Sequence, residues 1–153
     1  EVFCLSNKRI TSEEIAKLTN LSEDYSISEL IDNCLAKNNR KIVQILNENN
    51  FSKEDAIIII RTLMNRSKKI LSLSRQFETN NDLELTISSA KPPIFWKDKE
   101  ITKKQIQNWN SKKVKQLIYA LTETELQIKK NMNNAINLIT DFILSKFSAK
   151  NNI

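Results

Sequence analysis

A chain of 153 residues with a formal net charge of +6, no glycine and no histidine is long enough for one domain with a sizeable core, yet lacks the residues most enzyme chemistries need. Glycine, about 7% of an average chain, supplies positive φ and lets backbone press against phosphate. Its absence excludes Walker-type loops, dinucleotide fingerprints and nucleophile elbows, and the absence of histidine excludes the usual triads and ordinary zinc sites, so the expectation is a binding or structural module.

The chain begins at Glu1 and runs into Val2-Phe3-Cys4-Leu5, which reads as the interior of a longer protein, and residues 1–10 lack the pattern of a secretory leader. Thr11 with Glu14 reads as a capping box opening a short helix to about Leu18. Ser26 with Glu29 opens a second, in which Ile27, Leu30, Ile31, Cys34 and Leu35 share a face. Cys34 is thus expected as a buried free thiol, two cysteines being too few for a disulfide framework, and the compartment as the reducing cytoplasm. A third helix spans 39–47, with Ile42, Val43, Ile45 and Leu46 apolar.

Ser52 caps the longest helix, with Glu54 and Asp55 in its first turn, where the helix dipole favours acids. The isoleucines at 57–60 ring its start, and Leu63, Met64, Ile70 and Leu71 narrow to a stripe, so this helix is expected at the centre of a bundle. The longest apolar run, 56–60, is far short of the roughly 18 residues a membrane span needs. Residues 79–93 read as a short helix or an irregular link, and Pro92-Pro93 stops any helix there. Further helices are expected over 98–108, over 111–130 with Ser111 as cap and Val114, Leu117, Ile118, Leu121 and Ile128 inward, and over 133–147 with Ile136, Ile139, Phe142 and Ile143 buried. Asparagines mark the boundaries: the doublets at 38–39, 49–50, 80–81, 133–134 and 151–152, with Asn110 and Asn131. Asparagine tolerates the left-handed conformation best after glycine, so these residues are expected to close the helices. The fold class is all-α, a bundle of about seven helices with short links.

Acidic pairs at Glu13-Glu14, Glu23-Asp24 and Glu54-Asp55 sit at or near helix starts, where capping accounts for them. Glu125 and Lys129 have the favourable i, i+4 order of a surface ion pair. The stretch 97–115 holds Lys97, Lys99, Lys103, Lys104, Lys112, Lys113 and Lys115, flanked by Trp96 and Trp109. Two readings of it stay open. Lysines beside aromatics can hold phosphates and stack bases, or they form a solvated face over two core tryptophans. No arginine cluster suited to base edges is present.

The Pro-Pro-Ile-Phe-Trp-Lys at 92–97 and the Leu-Thr-Glu-Thr-Glu-Leu-Gln-Ile-Lys at 121–129 resemble the C-terminal part of the delta-subunit family of bacterial DNA polymerase III. The order of features agrees along the chain: the capped helix near Thr11, the segments 29–50 and 54–73, the Pro-Pro-aromatic-basic link, then 117–130 and a closing apolar helix. The resemblance implies a non-ATPase clamp-loader subunit. Residues 1–22 would end its small lid domain, and 23–153 would form the all-α collar that packs with the collars of delta prime and gamma/tau in a hetero-pentamer. It implies no catalytic residue, cofactor or metal in this chain, although the holoenzyme is a DNA polymerase. It further implies sliding-clamp contact only through a region outside this chain, primed DNA as an indirect partner, and no membrane partner. In the assembled loader the turn at Lys129, Lys130, Asn131 and Met132 is a candidate for facing DNA. The candidate DNA- or partner-facing residues are therefore Trp96, Lys103, Lys104, Trp109, Lys112, Lys113, Lys115, Lys129, Lys130 and Met132. The alternative is a free-standing basic helical module that binds nucleic acid without sequence preference.

Overall fold

A computed structural model describes residues 11–148; Cys4 and the Asn151-Asn152 doublet lie outside the described residues. Among these residues the chain is mainly helical, with no strand. Seven α-helices follow one another: α1 (Ser12–Leu35), α2 (Asn39–Glu48), α3 (Lys53–Asn80), α4 (Leu83–Ser88), α5 (Lys99–Asn108), α6 (Ser111–Lys130) and α7 (Ala135–Phe147). Short 3-10 turns at Trp96–Asp98 and Met132–Asn134 precede α5 and α7. No helix of the described residues is long and apolar enough to cross a membrane.

The expected number of helices is present, but divided differently. The helices expected to start at Thr11 and Ser26 are one, because α1 runs unbroken through the 22/23 position, where a domain boundary was expected. Nothing at 19–26 is a glycine or proline, and asparagine or serine inside a helix costs only a few tenths of a kcal/mol relative to good helix formers. The missing helix is supplied by α4, capped by Asp82, whose side chain accepts from the Leu85 amide at 3.0 Å.

Caps set the starts. Thr11 and Glu14 form a reciprocal box, as do Ser52 and Asp55, with bonds of 2.8 and 3.1 Å in the second. The cap of α6 is Asn110, not Ser111: Asn110 Oδ1 accepts from the Lys113 amide at 2.8 Å, while Ser111 donates from N and Oγ to the Glu78 carboxylate, both at 2.8 Å.

The helix ends also depart from expectation. Asn81 does take the left-handed conformation, at φ 52°, but the other positive φ among the described residues belongs to Lys37, at 55°. Asn38 is occupied as the cap of α2, so the left-handed residue closing α1 falls one position earlier. The Lys37 amide bonds the Cys34 carbonyl and the Asn38 amide bonds the Asn33 carbonyl, both at 3.0 Å, the paired bonds of a Schellman closure. Elsewhere asparagine works through its side chain or in extended backbone, as at Asn49 and Asn110.

α3 is the axis of the bundle, with α6 packed along it and α1, α4, α5 and α7 against its other sides. The main core joins Leu30, Ile31, Cys34 and Leu35 of α1 to Ile59, Ile60 and Leu63 of α3, Leu121 and Ile128 of α6, and Ile139 and Ile143 of α7. Each such leucine or isoleucine contributes on the order of 1.5–3 kcal/mol by leaving water. Of the isoleucine ring at the start of α3, Ile59 and Ile60 are buried, Ile57 is half-buried and Ile58 is exposed. Ile118 and Ile136, expected inward, are half-buried. A smaller cluster of Leu73, Ile87, Ala90, Ile94 and Ile106 ties the link after α4 to the far end of α3.

Candidate partner-binding surface

The Pro-Pro link delivers the chain to Ile94, which is buried in the smaller cluster, and the following 3-10 turn is closed by the Asp98 amide on the Phe95 carbonyl at 2.9 Å. Held from both sides, Phe95 and Trp96 point outward, 57% and 69% exposed. Their ring centroids are 5.9 Å apart, and Lys97 Nζ lies 5.4 Å from the centre of the Trp96 ring. This aromatic pair stands on a fixed turn and has no part in either core cluster.

Trp109 has the opposite role. It is 6% exposed, and its indole Nε1–H donates to the Leu35 carbonyl at 2.7 Å. Its own carbonyl accepts from Ser74 Oγ at 2.8 Å, and its ring meets Phe147 edge-on at 5.8 Å. Two neighbours act with it: Gln105 Nε2 donates to the Asp32 carbonyl and Asn108 Nδ2 to the Ala36 carbonyl, each at 3.0 Å. The last carbonyls of a helix have no partner within it, so Trp109 and Asn108, at the end of α5, meet those of Leu35 and Ala36, while Gln105 adds a second donor to the Asp32 carbonyl, which also accepts from the Ala36 amide. Trp109 is therefore a core and capping residue, as the reading of core tryptophans expected of it, whereas Trp96 is not.

The lysine stretch is divided by the fold. Lys103 is held by Glu84 at 2.6 Å and Glu100 at 3.2 Å, and its hydrogen bonds to Glu84 and then Glu100 raise its pKa above the ordinary lysine value. It is a neutralised cation, not a free one. Lys104 is exposed and borders a hollow with Asn33, Asn38 and Lys97. Lys112, Lys113 and Lys115 are exposed on the first turns of α6, Lys115 facing the charge of Glu78. Lys129 makes the expected ion pair with Glu125, at 3.0 Å, and Arg61 joins the same carboxylate at 3.9 Å. Lys130 is exposed, whereas Met132 is half-buried against the main core.

Two lysines that the stretch does not contain stand beside it. Lys37 Nζ sits 4.8 Å from the centre of the Trp109 ring, and Lys146 of α7 lines a hollow of about 150 Å3 with Trp109, Lys113, Gln116 and Leu117. Burial, and then the charge of Lys113, hold Lys37 below the ordinary lysine pKa. No spacing in the sequence links 37, 113 and 146; only the meeting of three helix ends does.

Glu13-Glu14 and Glu54-Asp55 lie in first turns as expected, Glu14 and Asp55 completing capping boxes, but positions 23–24 fall inside α1 and not near a helix start, because no helix begins at Ser26. Asp32 bridges α1 to α3 through Arg66 Nη1 at 2.9 Å, and burial raises its carboxyl above the usual range against the opposing pull of Arg66. Comparison with known proteins gives no match to a family model, to a curated protein or to a solved structure.

Proposed function

We propose that this chain is an assembly module, the C-terminal collar part of a delta-type clamp-loader subunit, which holds that subunit in a hetero-pentamer with delta prime and gamma/tau and performs no chemistry itself. The observation that carries the reading is the exposed Phe95-Trp96 pair, fixed on a turn in the same segment, 92–97, that bears the resemblance to the delta family. Tryptophan is the residue most enriched among interface anchors, and truncating such an anchor typically costs about 2–4 kcal/mol of binding.

Two further apolar surfaces suit a part made to be covered. Ile15, Leu18 and Tyr25 lie on one stripe of α1 and are 54%, 61% and 70% exposed. An open groove of about 330 Å3 between α2 and α7 is edged by Val43, Phe51 and Leu144. Helix-on-helix packing into such surfaces needs no reactive side chain.

The test mixes the chain with purified delta prime and gamma/tau and follows co-migration by analytical ultracentrifugation. Association is expected at micromolar concentration, and Trp96→Ala is expected to weaken it by about 30-fold or more, the equivalent of about 2 kcal/mol. Absence of any complex at tens of micromolar would remove the assembly reading.

A further inference from the structure

Several cations in this fold meet a carboxylate on another helix. Lys41 reaches Glu29, Arg66 reaches Asp32, and Lys103 reaches Glu84. Lys37, Lys113 and Lys146 do not. They come from three separate elements, namely the left-handed residue closing α1, the first turn of α6 and the last turn of α7. No carboxylate is ion-paired to any of them among the described residues.

The three gather at the edge of Trp109. Lys113 and Lys146 line one hollow of about 150 Å3 with Trp109 and the amide-bearing Gln116, and Lys37 covers the Trp109 ring at 4.8 Å. The Glu78 carboxylate is taken by Ser111 and faces Lys115 and Arg75. α6 also places Lys112 and Lys113 in its first turn with no acid there, at the positive end of the helix dipole. Like charges held together without a counterion raise the energy of the free protein, and an anion in the hollow lowers it. Burial is the larger cause of the depressed pKa of Lys37, and the charge of Lys113 adds to it.

We propose that Lys37, Lys113 and Lys146 form a phosphate-binding site, centred on the edge of Trp109, for the backbone of a nucleic acid. Two lysines and an amide side chain line a hollow large enough for a phosphate, and a third lysine lies over the indole that forms one of its walls, a set of donors suited to a tetrahedral anion. Lys37 occupies the ring face of Trp109, so no base stacks there, and the cluster contains no arginine to read base edges. Recognition is therefore of phosphate alone, without sequence preference. An acidic protein is the poorer fit: interfaces with proteins are anchored on apolar and aromatic side chains, and none of the exposed large apolar residues lines this hollow. The site is independent of the assembly reading and is measured on the chain alone.

The experiment follows binding of a fluorescent mixed-sequence single-stranded DNA of about 20 nucleotides to the 153-residue chain across a salt series by anisotropy. The double variant Lys113→Glu/Lys146→Glu is compared with Lys17→Glu/Lys53→Glu, an equal change of charge placed roughly 25–30 Å away along α1 and α3 by helix rise. The expected result is an affinity loss of about tenfold or more for the first pair, with a salt slope lower by about 1.4, and a loss under about threefold for the second. Lys113→Gln/Lys146→Gln, which adds no acid, should lose slope in the same sense, and circular dichroism checks that all variants stay helical. Equal losses in both charge-reversed doubles would reduce the effect to net charge and overturn the site. So would unchanged binding in the first double, absence of wild-type binding at low salt, or equal binding of poly-glutamate of matched charge, the last pointing to an acidic protein.

Discussion

The two tryptophans should respond to truncation in opposite ways, and the difference can be worked out from their surroundings. Trp109→Phe keeps an aromatic ring in the core but removes the Nε1–H that reaches the Leu35 carbonyl at 2.7 Å. That carbonyl belongs to the last residue of α1 and has no partner within the helix, so it stays buried and unsatisfied at a cost of about 1–3 kcal/mol. Trp109→Ala adds a cavity beside Phe147 and removes the ring under Lys37, which brings the loss to about 3–5 kcal/mol. Trp96→Ala takes away a side chain that is 69% exposed and should change stability by less than about 0.5 kcal/mol. Urea unfolding followed by circular dichroism reads these values directly. With an m-value of about 1–3 kcal/mol per molar, Trp109→Phe should lower the midpoint by roughly 1 M at unchanged m, and Trp96→Ala should leave it in place. Gln105→Ala and Asn108→Ala should each fall between them, and should combine with Trp109→Phe less than additively, because all three act on the same helix end. If Trp109→Phe were neutral, or Trp96→Ala as costly as Trp109→Ala, the account of how α5 finishes α1 would be wrong.

Ser67 is fully buried on α3 and its hydroxyl has no hydrogen-bond partner, so Ser67→Ala should raise stability by about 1 kcal/mol in the same urea assay; a loss of that size would mean the hydroxyl is engaged. The Glu78 carboxyl is held below the ordinary glutamate pKa by hydrogen bonds from the Ser111 amide and hydroxyl. A depressed acid stabilises the fold above its unfolded value and loses that contribution as pH falls through the folded one. Glu78→Gln should therefore flatten the decline in stability below about pH 4.5, and parallel acid profiles would refute it. Burial pushes the Cys34 thiol well above its ordinary value, so in a Cys4→Ser background a thiol reagent such as DTNB should find no reactive group in the folded chain at neutral pH and one after unfolding; rapid labelling of the folded chain would contradict its place in the core.

What the sequence made legible was local. A threonine or serine three residues before an acid, an apolar face repeating every three or four residues, and a glutamate four before a lysine each act within a turn or two, and Thr11, Ser52, Cys34 and Glu125 all stand as that logic requires. The failures share a different cause. Whether the chain breaks between Leu18 and Ser26 depends on whether starting a new helix gains more than continuing the old one, and a serine-glutamate pair looks alike in either setting. Asn110 and Ser111 are both good caps; the choice was made by Glu78, 33 residues away in sequence, which claimed the serine. Trp109 looked like a partner of Trp96 because both border the same lysines, yet its hydrogen-bond acceptor lies 74 residues earlier.

The missing glycine connects these outcomes. A helix that closes on a left-handed residue and has no glycine for it must put some other residue there, at a cost of about 1–2 kcal/mol, and its final carbonyls still need partners. At the end of α1 the chain does both: Lys37 takes the left-handed position, and Asn108 and Trp109 supply donors to the Ala36 and Leu35 carbonyls. A left-handed glycine would have closed the helix equally well and left nothing over the indole. The lysine instead lies on the ring of Trp109, where α6 and α7 bring Lys113 and Lys146. The device that finishes the helix is thus also what completes the cluster of three cations, so the residue most costly to the backbone is the one that the proposed phosphate site requires.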